Sequence, residues 1–117
     1  MTTATIERVH SQSGRIDAKL VAELYDLKLA KLAEILGESP ETLRKDVDRD
    51  EAQPGLAKLV HAWNELEGIL ANDDHIRRWL HHPLPKDGRR PLDLLLGKDG
   101  LKQFTRLIGR IATGGFA

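Results

Sequence analysis

The sequence predicts an all-α fold, a compact multi-helix domain, on three observations. No stretch of its 117 residues alternates apolar and polar positions at period two with β-branched enrichment, so no strand is expected. Apolar residues instead recur at helical spacing, most regularly from Leu56 to Leu70 and from Leu101 to Ile111. Between these runs stand residues that start and stop helices, among them Asp17, Gly37, Ser39-Pro40, Pro54-Gly55, Asp73 and Pro91.

The elements follow in order. Residues 1–15, ending Ser11-Gln12-Ser13-Gly14-Arg15, read as a mobile lead-in. Asp17 is a good N-cap, with Ile16 and Val21 placed as a hydrophobic staple around it. Leu20, Val21, Leu24 and Leu27 form the buried stripe of that first helix. A second helix over Leu29–Leu36 stops at Gly37, which suits a left-handed C-terminal residue. Ser39 caps a third, with Pro40 in the first turn where a missing N–H costs nothing, and it is expected to reach Val47. The longest helix is expected near 55–71, on Leu56, Leu59, Val60, Trp63, Leu66 and Leu70. Asp73 caps a short helix burying Ile76, Trp79 and Leu80, and Pro91 opens another. The last, near 99–113, buries Leu101, Phe104, Leu107, Ile108 and Ile111.

Leu29 to Val47 reads as a helix-turn-helix unit: Ala33 is small enough for a close crossing and Gly37 permits the turn. Three regions follow: the lead-in 1–15, a helix-turn-helix region 16–52 and a C-terminal helical region 53–117. If the unit reads DNA, Thr42, Arg44 and Lys45 on the third helix are the contacts. Against that, residues 38–51 hold six acids and only Arg44, Lys45 and Arg49 as cations, whereas affinity for DNA comes mostly from neutralised phosphates.

The net charge is zero, but it is segregated. Residues 21–74 carry six cations and thirteen anions, residues 75–117 nine cations and three anions. Such a split concerns partners and steering rather than fold. The absence of cysteine excludes disulfides, thiolate metal sites and a cysteine nucleophile. Met1–Thr5 lack the features of a signal peptide, and no apolar run approaches the ~18 residues of a membrane span, so a cytoplasmic protein without membrane contact is expected. The five histidines form no metal-ligand pattern beyond the pair His61 and Glu65, and no phosphate loop follows a strand. The chain therefore reads as a binding protein, not an enzyme, with no catalytic residue, metal or cofactor.

Lys98, Lys102, Arg106 and Arg110 recur every four residues and so share a face of the last helix. They are either a solvated face or a docking surface for an acidic partner or for phosphates. Beyond them lies Thr113-Gly114-Gly115-Phe116-Ala117, in which Phe116 has no evident core position. That tail is either frayed or able to fill a partner's pocket.

Taken in order, His82-Pro83, Gly88-Arg89, Pro91-Leu92-Asp93-Leu94-Leu95, Gly109-Arg110-Ile111 and Gly114 give a sequence that resembles the Xre/MbcA/ParS-type antitoxins, over Leu29 to Ala117. The resemblance implies an all-helical homodimer whose C-terminal part binds a cognate RES-type toxin, an enzyme that attacks NAD or ADP-ribosylates a target. By that resemblance, Thr113, Gly114, Gly115, Phe116 and Ala117 enter the toxin's active-site cleft with Arg106 and Arg110 beside it. It further implies repression of the operon by the complex, through operator DNA. The alternative is a helix-turn-helix transcriptional regulator whose C-terminal half only dimerises.

Overall fold

The fold follows from where local signals stop each helix. A computed structural model describes residues 8–11, 13–85 and 88–114, and their regular elements are helical. These are α1 (Ala18–Tyr25), α2 (Leu29–Leu36), α3 (Pro40–Lys45), a 3-10 turn (Asp50–Ala52), α4 (Gln53–Leu70), α5 (Asp73–Leu80), α6 (Pro91–Leu96) and α7 (Gly100–Ala112). The one extended pairing among the described residues is an isolated antiparallel bridge between His10 and Ile16. No described helix is long and apolar enough to cross a membrane.

The Asp17 carboxylate accepts the N–H groups of Lys19 and Leu20 at 2.8 and 3.2 Å, which caps α1 as expected. Gly37 ends α2 at φ 72°, and the Glu38 N–H reaches back to the Ala33 carbonyl at 2.9 Å. Ser39 caps α3 by accepting the Thr42 N–H at 3.4 Å. The helix ends at Lys45 rather than Val47: Asp46 leaves the helical region at φ −136° and ψ 77°, and beyond it the Val47 carbonyl accepts the Ala18 N–H at 2.7 Å. The long helix starts at Gln53, two residues early, since the 3-10 turn feeds directly into it with Pro54 in its first turn. Asn72, not Asp73, caps α5: its side chain accepts the His75 N–H at 2.9 Å. Asp73 is instead the first helical residue, where its charge complements the N-terminal dipole.

The core centres on α4, which packs against α1, α5 and, most extensively, α7. Trp63 of α4, Tyr25 of α1 and Phe104 of α7 are fully buried. Their rings meet edge to face, with Tyr25 5.0 Å from Trp63 and 6.1 Å from Phe104. The Tyr25 hydroxyl donates to the Leu59 carbonyl at 2.6 Å, and burial pushes its pKa far above the usual phenol value. The buried face of α1 is thus Ala18, Val21, Ala22, Leu24 and Tyr25, while Leu20 and Leu27 are only partly covered. One continuous core runs through Leu43, Ala52 and Leu56, so helices on both sides of position 52 share it. The radius of gyration, 13.7 Å, is close to the ~13.4 Å expected of one packed unit of this length.

Part of the segment expected as a lead-in is clasped to this body. Val9 is 1% exposed, and its carbonyl accepts the Asp17 N–H at 2.7 Å. The Gln53 amide takes both backbone groups of Ile16, accepting its N–H at 3.0 Å and donating to its carbonyl at 2.9 Å. Ser11 and Ser13 both donate to Asp48 Oδ2, at 3.0 and 2.5 Å, with the Ser13 bond the main cause of a lowered Asp48 pKa.

Candidate partner-binding surface

Helix α7 is amphipathic in a way that fixes its outer face. Phe104, Leu107, Ile108 and Ile111 turn into the core, which leaves Lys102, Arg106 and Arg110 exposed on the other side, with Lys98 just ahead of the helix. The inner end of α7 is locked by close approach to α6. A Cβ on Gly100 would lie 1.9 Å from the Leu95 carbonyl oxygen, so only glycine fits there. At the outer end the Thr113 hydroxyl donates to the carbonyls of Gly109 and Arg110, both at 3.1 Å. Gly114 then turns the chain at φ 95°, with its N–H on the Ile111 carbonyl at 3.0 Å. Gly115, Phe116 and Ala117 lie outside the described residues.

The cations of the rest of the surface are mostly paired. Arg44 and Lys45 of α3 both lie on Glu41 Oε1, at 3.2 and 3.6 Å. Thr42, beside them, is half-buried, and its carbonyl accepts the Asp46 N–H. Arg15 pairs with Asp50, Lys31 with Glu34, Arg8 with Asp73, and Arg49 with both Glu38 and Glu51. Part of the acidic middle of the sequence is therefore offset by neighbouring cations. By contrast, none of Lys98, Lys102, Arg106 and Arg110 makes an ion pair among the described residues.

Two further features flank the inner end of α7. A shallow cleft of about 400 Å³ is lined by Ile35 of α2, Lys58 of α4, Leu96 at the end of α6 and Gly97 after it, and Leu101 and Lys102 of α7. Leu96, 39% exposed, is the large apolar residue most open to solvent among those described. At the start of α6, the Asp93 carboxylate accepts the Arg90 backbone N–H at 2.9 Å and the Arg90 guanidinium at 2.7 Å. These bonds, the guanidinium first, hold the Asp93 carboxyl down at about 2 and raise the Arg90 pKa. Arg90 Nη1 also donates to His81 Nδ1 at 3.2 Å, tying the end of α5 to the start of α6.

The structure thus brings Arg106, Arg110, Thr113 and Gly114 together at one end of α7, and sets Thr42, Arg44 and Lys45 apart on α3. His61 Nε2 and Glu65 Oε1 stand 3.4 Å apart at the surface. No group of three or more potential metal ligands gathers among the described residues. Sequence reasoning did not find the Arg90–Asp93–His81 network. Its signal was present, because an acid three residues after Arg90 and ahead of an apolar run fits half of a capping box. Compared with known proteins, the chain matches no protein-family model and no curated sequence.

Proposed function

We propose that this chain is the antitoxin of a type II toxin–antitoxin pair, neutralising a RES-type toxin that attacks NAD or ADP-ribosylates a target. The C-terminal end enters the toxin's active-site cleft and blocks substrate access. Arg106 and Arg110 sit at the cleft rim, and Thr113, Gly114, Gly115, Phe116 and Ala117 form the inserted segment. The observation that supports this reading is the outer end of α7. Arg106 and Arg110, which make no ion pair among the described residues, are exposed beside a helix end closed by Thr113 and Gly114, so the chain is held at a fixed point as far as Gly114. A pre-ordered departure point reduces the ordering entropy lost when such a segment fills a concave site.

The test is co-expression with the product of the adjacent gene, first with the full chain and then with one lacking Gly114–Ala117. Rescue and a stable complex are expected from the full chain, and loss of rescue with unchanged helical circular dichroism from the truncated one. Full protection by the truncated chain rules out occlusion by the tail. A second reading is a DNA-binding regulator whose helix-turn-helix is α2–α3, favoured by the three-residue connection from Gly37 to Ser39. On that reading Arg44→Ala weakens operator binding in the absence of any toxin.

A further inference from the structure

Three cations, Lys102, Arg106 and Arg110, recur every four residues on α7 with Lys98 just ahead of the helix, and among the described residues none of them meets a carboxylate. Residues four apart on a helix are about 6 Å apart along its axis, so Lys102 to Arg110 cover about 12 Å, with Lys98 preceding them. Like charges at that spacing oppose each other by a few tenths of a kcal/mol per pair. Helix α7 carries no acid, and Asp99, the nearest in sequence, makes no ion pair among the described residues. Lys58, on the rim of the cleft that Lys102 lines, is also exposed and makes no ion pair among the described residues. Elsewhere the exposed cations of α2, α3 and the clasp sit on neighbouring carboxylates.

We infer that this face of α7 is a docking surface for the phosphate backbone of duplex DNA, separate from the α3 helix. Three observations select the occupant. The exposed positions along the row are Lys102, Gln103, Arg106, Arg110, Ala112 and Thr113, all polar or small, as a surface that meets phosphates requires. The apolar face of α7 is spent in the core, which leaves nothing to enter a lipid layer. A row of point charges about 6 Å apart along the axis, winding slowly round it, suits a regular, winding array of phosphates such as a duplex strand presents. The contact reads charge and not sequence, since its affinity comes from counterion release. The α3 cations contribute little, because Glu41 already holds both. This inference does not rest on the toxin reading, although Arg106 and Arg110 belong to both surfaces.

The test is fluorescence anisotropy of the full chain against a labelled 24-base-pair duplex of arbitrary sequence, between 50 and 200 mM salt. Three to four phosphate contacts give a slope of log K against log salt of about −3. Lys102→Glu with Arg106→Glu is expected to weaken binding at least tenfold at 50 mM salt and to flatten the slope by about 2. Lys19→Glu with Lys28→Glu, the same change in net charge at exposed cations on and beside α1, is expected to leave the slope unchanged. Thermal melts verify that each variant is folded. Three results overturn the inference: no binding at 50 mM salt, equal loss in both double variants, or loss in Arg44→Ala with Lys45→Ala while the α7 variant binds normally. Tighter binding to an RNA duplex or to an acidic peptide than to DNA overturns the choice of occupant.

Discussion

Gly100→Ala is the substitution with the most to say about how α7 is held. The added Cβ would meet the Leu95 carbonyl oxygen at 1.9 Å, its carbon at 2.6 Å and the Leu94 oxygen at 2.8 Å. All three are backbone atoms, so no side-chain rotation relieves them. Reaching even 3.0 Å requires the end of α6 and the start of α7 to part by more than 1 Å. A gap of that size forfeits a quarter to a half of each dispersion contact across it, at a junction packed by Leu95 and Phe104. Overpacking costs about 1–3 kcal/mol, and a rigid backbone clash lies at the upper end. Losing the backbone freedom of glycine returns about 0.5–1 kcal/mol. The net is about 2 kcal/mol, or a Tm lower by about 8 °C for a domain of this size. Gly109→Ala, on the same helix with nothing within 4 Å, should do the opposite and raise Tm by about 2–4 °C. Thermal unfolding followed at 222 nm compares the pair. Shifts of the same sign, or a Gly100→Ala melt within 2 °C of the parent, would refute the close-approach argument.

Two other outcomes follow from buried or bonded polar groups. Tyr25→Phe removes the hydroxyl that donates to Leu59, but that carbonyl still receives its own helical N–H, so the loss should be about 1 kcal/mol in urea with an unchanged m-value. A loss above 3 kcal/mol would mean that the hydroxyl supports more than one bond. Asp93 has a folded pKa near 2 against an ordinary 3.8, so its bonds to Arg90 stabilise the fold fully above the ordinary value and fade as pH falls towards 2. Asp93→Asn should therefore lower Tm clearly at pH 5 and hardly at all at pH 2, and a difference independent of pH would exclude this linkage.

The parts of the fold that sequence disclosed are those fixed by a few neighbouring residues. Asp17, Gly37 and Ser39 act on amides and carbonyls within five positions, and each sits where its chemistry requires. The misses involve distant partners. Helix α3 stops early at Asp46, and the chain beyond it is tied to Ala18, far away in the sequence, through the carbonyl of Val47. Tyr25 lies one position beyond the apolar stripe read for α1, and it enters the core only because Leu59 offers an acceptor for its hydroxyl. Val9 and Ile16 are pinned by Asp17 and by the Gln53 side chain, whose role no local pattern signals. At the candidate surface, the row from Lys98 to Arg110 was legible from spacing alone. That those cations meet no counter-ion among the described residues while Arg44 and Lys45 have one was not, because pairing depends on rotamers and neighbours that a sequence does not display.

The seating of α4 against α7 has a consequence for how the chain is made. Residues 53–70 leave the ribosome well before residues 100–112, the helix against which they pack most extensively. Until α7 arrives, the part of α4 that packs on it stays wet, about two to eight seconds at ordinary elongation rates. The nascent protein therefore passes through a stage at which an apolar helix face is on offer to whatever is nearby, and a helix made later in the chain is the one that withdraws the offer.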